Sequence, residues 1–147
     1  MKNFSNLLDT DHTITVSIGL SVLGNPLGLE AKINDIVLHS GALTNNVNLV
    51  GQIKLLEPLV ISLDVSGKDY NSDSESAILI QHLCIDGFEI LPKWTQYATY
   101  VNDHNFQDPT THLGFNGVWK LDTRQSFYRW RHVTLGNGWL LSPETLK

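Results

Sequence analysis

The stretch AILIQHLCIDGFEI, residues 77–90, decides how this chain is read. It is the longest nearly unbroken apolar run, and an Asp-Gly pair, Asp86–Gly87, breaks it near its end. With a period of two, Leu79, Leu83 and Ile85 point to one side, and Ile78, Ile80 and Cys84 to the other. A strand apolar on both faces is expected to be central, with layers packed above and below it. The Asp-Gly pair then turns the chain into a short segment over residues 88–91, and Pro92 ends it.

Working outward, residues 13–22 (TITVSIGLSV) alternate cleanly. Ile14, Val16, Ile18, Leu20 and Val22 share one face, and Thr, Ser and Gly fill the other, which predicts a half-buried strand against solvent. Residues 29–41 (LEAKINDIVLHSG) read as a hairpin with Asn34–Asp35 at its tip, because Asn and Asp tolerate the left-handed backbone such turns need. Two more strands follow, over about 47–55 and 59–65, separated at Glu57–Pro58 since proline cannot donate to a ladder. Nothing in the first ninety residues repeats apolar side chains at helical spacing. In residues 93–112, Trp94, Tyr97 and Val101 would share a helix face while Thr95, Tyr97, Thr99 and Tyr100 favour a strand, so the choice stays open and a long aromatic loop with one short strand is expected. In the closing run, Phe115, Trp119 and Leu121 alternate with polar partners, and Gly136 and Gly138 bracket a further hairpin tip. Short strands spaced by turn residues predict an all-β fold, a single-domain antiparallel β-sandwich of jelly-roll-like type. It is expected to span residues 13–147, with residues 1–12 as a polar lead-in.

The 147 residues suit one domain, and their composition excludes several function classes. Ten Lys and Arg against fifteen Asp and Glu leave a net charge of −5, and Arg124, Arg129 and Arg131 do not make a phosphate-binding patch. No nucleic-acid partner is therefore expected. With no apolar run long enough to span a bilayer and no signal-peptide core, neither a membrane partner nor export by the usual route is expected. The lone cysteine, Cys84, excludes an internal disulfide and is expected to act as a small hydrophobe. No P-loop, G-x-S-x-G, H-E-x-x-H or C-x-x-C motif is present, and the six histidines are not spaced as ligand pairs. The chain is expected not to be an enzyme.

Two stretches remain as candidates for function. In the acidic loop after Val65, Asp69, Asn71 and Asp73 stand at i, i+2 and i+4, as the first ligands of an EF-type calcium loop do. Ser74 then occupies the glycine position and Ile80 the position of the bidentate glutamate, so a calcium site there would need another geometry. It would draw on Asp69, Asn71, Asp73 and Glu75, with calcium as the one cofactor the sequence suggests and a solvated turn as the ordinary alternative. The second stretch is aromatic. Trp94, Tyr97 and Tyr100, with Asn102 and Asp103 beside them and Trp130 further on, form the candidate ligand-binding set. Sugar rings stack on such faces while amides and carboxylates read their hydroxyls, and protein interfaces use the same residue types. Trp130 lies between arginines that would stack on it.

The hairpin KINDIVLHSG and the segment LVISLDVSGKDYNSDSESAILIQHLCIDG resemble small jelly-roll carbohydrate-binding modules, in particular calcium-assisted xylan binders, and similar β-sandwich proteins encoded by tailed bacteriophages. The closing run, FNGVWKLDT through FYRWRHVTLGNGWLLSP, also resembles such phage-encoded proteins. The resemblance implies a non-catalytic role, and two expectations follow from it. One is a virion structural or accessory protein, a capsid decoration or tail-associated sandwich. Such a protein would be made in the host cytoplasm, reside in the virion, and contact other virion proteins or itself as a homo-oligomer. The other is a carbohydrate-binding module that uses the aromatic loop on a cell-surface glycan, with calcium assisting.

Overall fold

A computed structural model describes residues 13–71, 75–91 and 95–135. The expected lead-in and the glycine-bracketed tip near residue 137 lie outside them. Two antiparallel sheets face each other across one apolar core. The first runs β4 (Val47–Lys54), β1 (Thr13–Leu23), β6 (Ala77–Ile85) and β7 (Phe88–Glu89), with β9 (His112–Leu113) also pairing with β6. The second runs β3 (Ile36–Leu43), β2 (Leu27–Ile33), β5 (Pro58–Ser66), β10 (Gly117–Ser126) and β8 (Thr99–Asn102). A single helix among the described residues, α1 (Phe127–Leu135), follows β10.

The alternation of β1 does what its pattern requires. Ile14, Val16, Ile18 and Leu20 are buried, while Thr13 and Thr15 face water. Both expected turns form. Asn34 at the β2–β3 tip has φ 53°, and Asp86 and Gly87 between β6 and β7 have φ 50° and 85°. Asn34 also joins its hairpin to β5: its N–H donates to Val60 O, its Oδ1 accepts from Val60 N, each at 2.8 Å, and its amide donates to Pro58 O at 3.1 Å. Pro58 begins β5, a position where a missing N–H costs no central ladder bond.

β6 is central, as expected, but for a different reason. Its sheet meets the core on one face only. Along its pairing with β1 the register shifts: Leu20 lies opposite Ile80, whereas the preceding Gly19 lies opposite His82. Gln81 is the extra residue of a β-bulge, and past it the strand's inward set moves by one position. Ile78 and Ile80 before the bulge, and Leu83 and Ile85 after it, therefore all point into the same core. Leu79, His82 and Cys84 are only partly buried. A strand that reads as apolar on both faces is thus a one-faced strand with a bulge. Cys84 donates to Glu89 Oε2 at 3.0 Å, and that bond, with burial and the nearby carboxylate charge, pushes its thiol up to about 11. So protonated a thiol is a poor nucleophile.

The other departure is α1. Residues 127–135, grouped with the strands on sequence, are helical. Phe127 and Trp130, three apart, are the buried pair, and Val133 one turn on is 64% exposed. Two inward aromatics make too narrow a stripe for periodicity to stand out. No helix among the described residues is long and apolar enough to cross a membrane.

The bulge yields a sharp expectation. Gln81 is exposed, so Gln81→Ala should change stability by less than about 1 kcal/mol. Deleting Gln81 removes the extra residue and restores unbroken alternation with Ile78, Ile80, Leu83 and Ile85 all still inward, so the deletion variant should keep a cooperative transition in a urea titration. A deletion variant that loses cooperative unfolding would refute the register account.

Candidate functional site

β8 is the edge strand of its sheet, and the chain beyond it folds back on one side chain. Asn102 Oδ1 accepts the N–H groups of His104 and Phe106, each at 3.0 Å. Its amide nitrogen donates to Tyr100 O at 2.9 Å and Phe106 O at 3.0 Å. All four contacts are local, so this carboxamide coils residues 102–106 into a compact turn. Asn105, with φ 54°, takes the left-handed position Asn tolerates. The returning segment is then tied to both sheets. Trp119 Nε1 donates to Thr110 O at 3.2 Å, and Ile80 N donates to Thr111 O at 2.9 Å.

Between β8 and this returning segment lies a cleft of about 300 Å³. Phe106 and part of Tyr100 supply its aromatic surface, and Trp119, only 2% exposed, lies beneath it. Gln96, Asn105 and Gln107 supply carboxamides, Thr99 and Thr110 hydroxyls, and Asp108 the one carboxylate among its lining residues. Among the described residues, no lysine, arginine or histidine lines it. The cleft therefore offers paired donors and acceptors with little net charge. Tyr100 is a fixed wall: its hydroxyl donates to Phe115 O and accepts from Phe115 N at 2.9 Å, and burial first of all pushes it up to about 12.

Beside the cleft sits a clasp between loops. Tyr70 donates to Asp103 Oδ1 at 2.6 Å and accepts from Asn116 N at 2.8 Å. His104 Nδ1 lies 2.9 Å from the same Asp103 oxygen, and its ring stacks on Phe115 with centroids 4.5 Å apart. The Tyr70 bond first, then His104, hold the Asp103 carboxyl below its usual value. The contribution is thus intact above the ordinary aspartate range and is lost as pH falls through the lowered value. Asn116 extends the clasp by gripping Lys68, accepting from its N–H at 2.9 Å and donating to its carbonyl at 3.3 Å.

The expected site residues divide between these features. Tyr100 and Asn102 line the cleft, Asn102 as its organiser, and Asp103 belongs to the clasp. Tyr97 is 36% exposed and meets Trp130 edge-on at 5.9 Å. Trp130 is only 5% exposed, packed on Phe127 within the core, so it presents no open ring face. The expected arginine stacking falls elsewhere, with Arg131 4.1 Å from the Phe88 ring centroid. Trp94 and Asp73 lie outside the described residues. Asp69 caps its own turn, accepting from Asn71 N at 3.0 Å. Glu75 is exposed. No three acidic, histidine or cysteine side chains among the described residues converge as a metal site would require. Instead the loop's neck is closed by a resident cation: Lys68, 8% exposed, donates from Nζ to Ser76 O. Phe106, Gln107 and Thr110 were not among the expected ligand residues. Their signal was the carboxamide-rich run NDHNFQD at 102–108, beside the aromatics chosen.

No family model matches the sequence, and no curated protein does. Two solved structures share the fold. One is a selenomethionine form of vCBM60, described in work on circular permutation linking two families of calcium-dependent carbohydrate-binding modules. It is 10% identical, with a TM-score of 0.52, over 74% of this chain and 90% of that one. The other is vCBM60 in complex with galactobiose, 7% identical, with a TM-score of 0.50, over 74% of this chain and 97% of that one. At these identities the likeness is one of fold, a β-sandwich of the kind carbohydrate-binding modules use. It shows the fold alone and carries no information on a ligand or on a virion.

Two outcomes are expected from this geometry. Asn102→Ala should leave the sandwich folded but speed amide exchange at His104 and Phe106 by at least about tenfold, since a lost hydrogen-bonding hub costs at least about 1.4 kcal/mol locally. Because Lys68 already closes the acidic loop, EDTA should leave the melting temperature unmoved. A fall of about 5 °C or more would instead reveal a resident divalent cation.

Proposed function

We propose that this protein is a non-catalytic glycan-binding β-sandwich whose site is the cleft between β8 and residues 105–110. The observation that carries this reading is the lining itself. Carboxamides and hydroxyls stand around aromatic surface in a hollow of about 300 Å³, with one carboxylate and no cation among the described lining residues. That volume sits at the small end of ligand pockets and suits a short piece of glycan. Each sugar hydroxyl both donates and accepts, and each carboxamide can meet it either way. Phe106, 37% exposed, offers the apolar surface on which a sugar's C–H face rests.

The absence of catalysis is part of the proposal. Glycoside hydrolysis ordinarily needs two carboxyl groups flanking the bond, and Asp108 has no acidic partner among the residues lining the cleft. Calcium is left out of the binding step, since the cleft supplies its own donors and acceptors. Carried in many copies on a particle, the setting suggested by sequence, a weak single site of this kind would gain avidity.

Affinity electrophoresis through gels containing galactan, xylan, mannan or hydroxyethyl cellulose tests the reading. Wild-type protein should be retarded by at least one polymer, and Phe106→Ala should weaken that binding by about tenfold, the scale of one lost aromatic contact. Retardation unchanged in Phe106→Ala and in Gln107→Ala, with near-UV circular dichroism intact, would remove the cleft as the site.

A further inference from the structure

The outer face of the first sheet carries a second hollow that the cleft does not explain. It lies over β1, β4 and β6, has a volume of about 310 Å³, and is bordered by Gly19, Ser21, Asn46, Asn48, Gln81 and His82. We infer that this hollow is a second glycan-binding site, taking a neutral sugar chain laid across the sheet.

The inference rests on how the hollow is built. The bulge at Gln81 breaks the ladder register and sets Gln81 and His82 side by side toward the outer face. Bulges re-aim side chains in this way, often beside binding sites. His82 lies directly over Gly19: a Cβ on Gly19 would come within 2.6 Å of the imidazole. Glycine at this position is what lets the ring lie flat on the strand. Asn48 Oδ1 is shared by Ser17 Oγ at 3.1 Å and His82 Nε2 at 3.0 Å. Both contacts fall on the carboxamide oxygen, which leaves the Asn48 amide nitrogen as a donor. Gln81 is oriented in turn by its 2.7 Å bond to Ser21 Oγ.

The result is a set of positioned hydrogen-bonding groups. The described residues bordering the hollow carry no carboxylate, ammonium or guanidinium group, so a phosphate, an acidic sugar or a charged peptide would lose its water there without a carboxylate, lysine or arginine to pair with. A neutral sugar loses little and gains from adjacent donors and acceptors that match its adjacent hydroxyls. This site is on the outer face of one sheet, and the cleft is at the edge strand of the other, so the two would bind independently.

The same four polysaccharide gels test the proposal. The cleft variant Phe106→Ala/Gln107→Ala should keep residual retardation on at least one polymer. Adding His82→Ala or Asn48→Ala should remove it, with a loss of about tenfold or more in apparent affinity. Adding Gly19→Ala should do the same while keeping the imidazole, because its Cβ displaces the ring; this covers the case in which His82→Ala fails to fold. A cleft variant that shows no retardation at all, or retardation unmoved by these three changes, overturns the second site and leaves the cleft reading standing. Binding abolished by the His82, Asn48 and Gly19 changes but untouched by the cleft changes supports the second site and overturns the cleft. A wild type retarded by none of the polymers overturns both.

Discussion

One constraint organises this molecule: each sheet may turn only one face to the core, and every apolar strand must satisfy it. β6 has an apolar run too continuous to meet that condition with a straight strand. The bulge at Gln81 resolves the conflict by spending one residue, so that Ile78, Ile80, Leu83 and Ile85 all face inward. The cost is a break in the ladder to β1, and neighbouring backbone reinforces the free side of β6. Ile80 N donates to Thr111 O, and Leu83 O accepts from Ile90 N. The first of these bonds also anchors the segment that walls the cleft. Core registration and site placement therefore share the same few backbone groups.

This explains what could and could not be read from the residues alone. Period-two alternation in residues 13–22, the Asn34–Asp35 and Asp86–Gly87 tips, and the break at Pro58 each depend on neighbours in sequence, and each formed as expected. The bulge depends on a partner strand more than sixty residues away, since Gly19 pairs with His82. Without the partner, a strand with a shifted inward set looks identical to one apolar on both faces. The helix at Phe127–Leu135 was illegible for a related reason. Its β-prone aromatics at 127 and 130 become helical because two rings reach the core at that spacing. Aromatic residues crowd the stretch from 94 to 130. Which of them keep an open face was decided by packing: Trp130 went inward, and Phe106 stayed partly exposed.

The polar residues tell the complementary story. Single asparagines act as hubs where the fold departs from regular strands. Asn34 joins a hairpin to β5, Asn102 coils the cleft wall, and Asn116 grips the backbone of Lys68 on both sides. Each uses a donor and an acceptor on separate atoms of one carboxamide, whereas a hydroxyl carries both on a single oxygen. In sequence these residues look like ordinary solvated loop positions. Their roles are set by which backbone groups the two sheets leave unpaired nearby, and so become visible only in three dimensions. Lys68 shows the same logic with charge: its ammonium group ties the base of the acidic loop to Ser76 O.

The low charge of the chain then acquires a physical meaning. Only 17% of its residues are charged, and hydroxyls and carboxamides take their place on the exposed sides of the strands. A surface of that kind is poor at steering ions and gains little from salt bridges. It is well suited to a ligand that is itself neutral and dense in hydroxyls, because little charge must be stripped of water on either side. Two hollows of nearly equal size, about 300 and 310 Å³, lie on different sheets of one sandwich. If each holds a segment of sugar chain, the core between them acts as a rigid spacer. Binding at one hollow then raises the effective concentration of polymer at the other only when the chain bends around the body of the protein or when two chains lie close together. Such an arrangement favours packed, many-stranded glycan surfaces over isolated soluble chains, and the preference comes from the spacing of the two sheets alone.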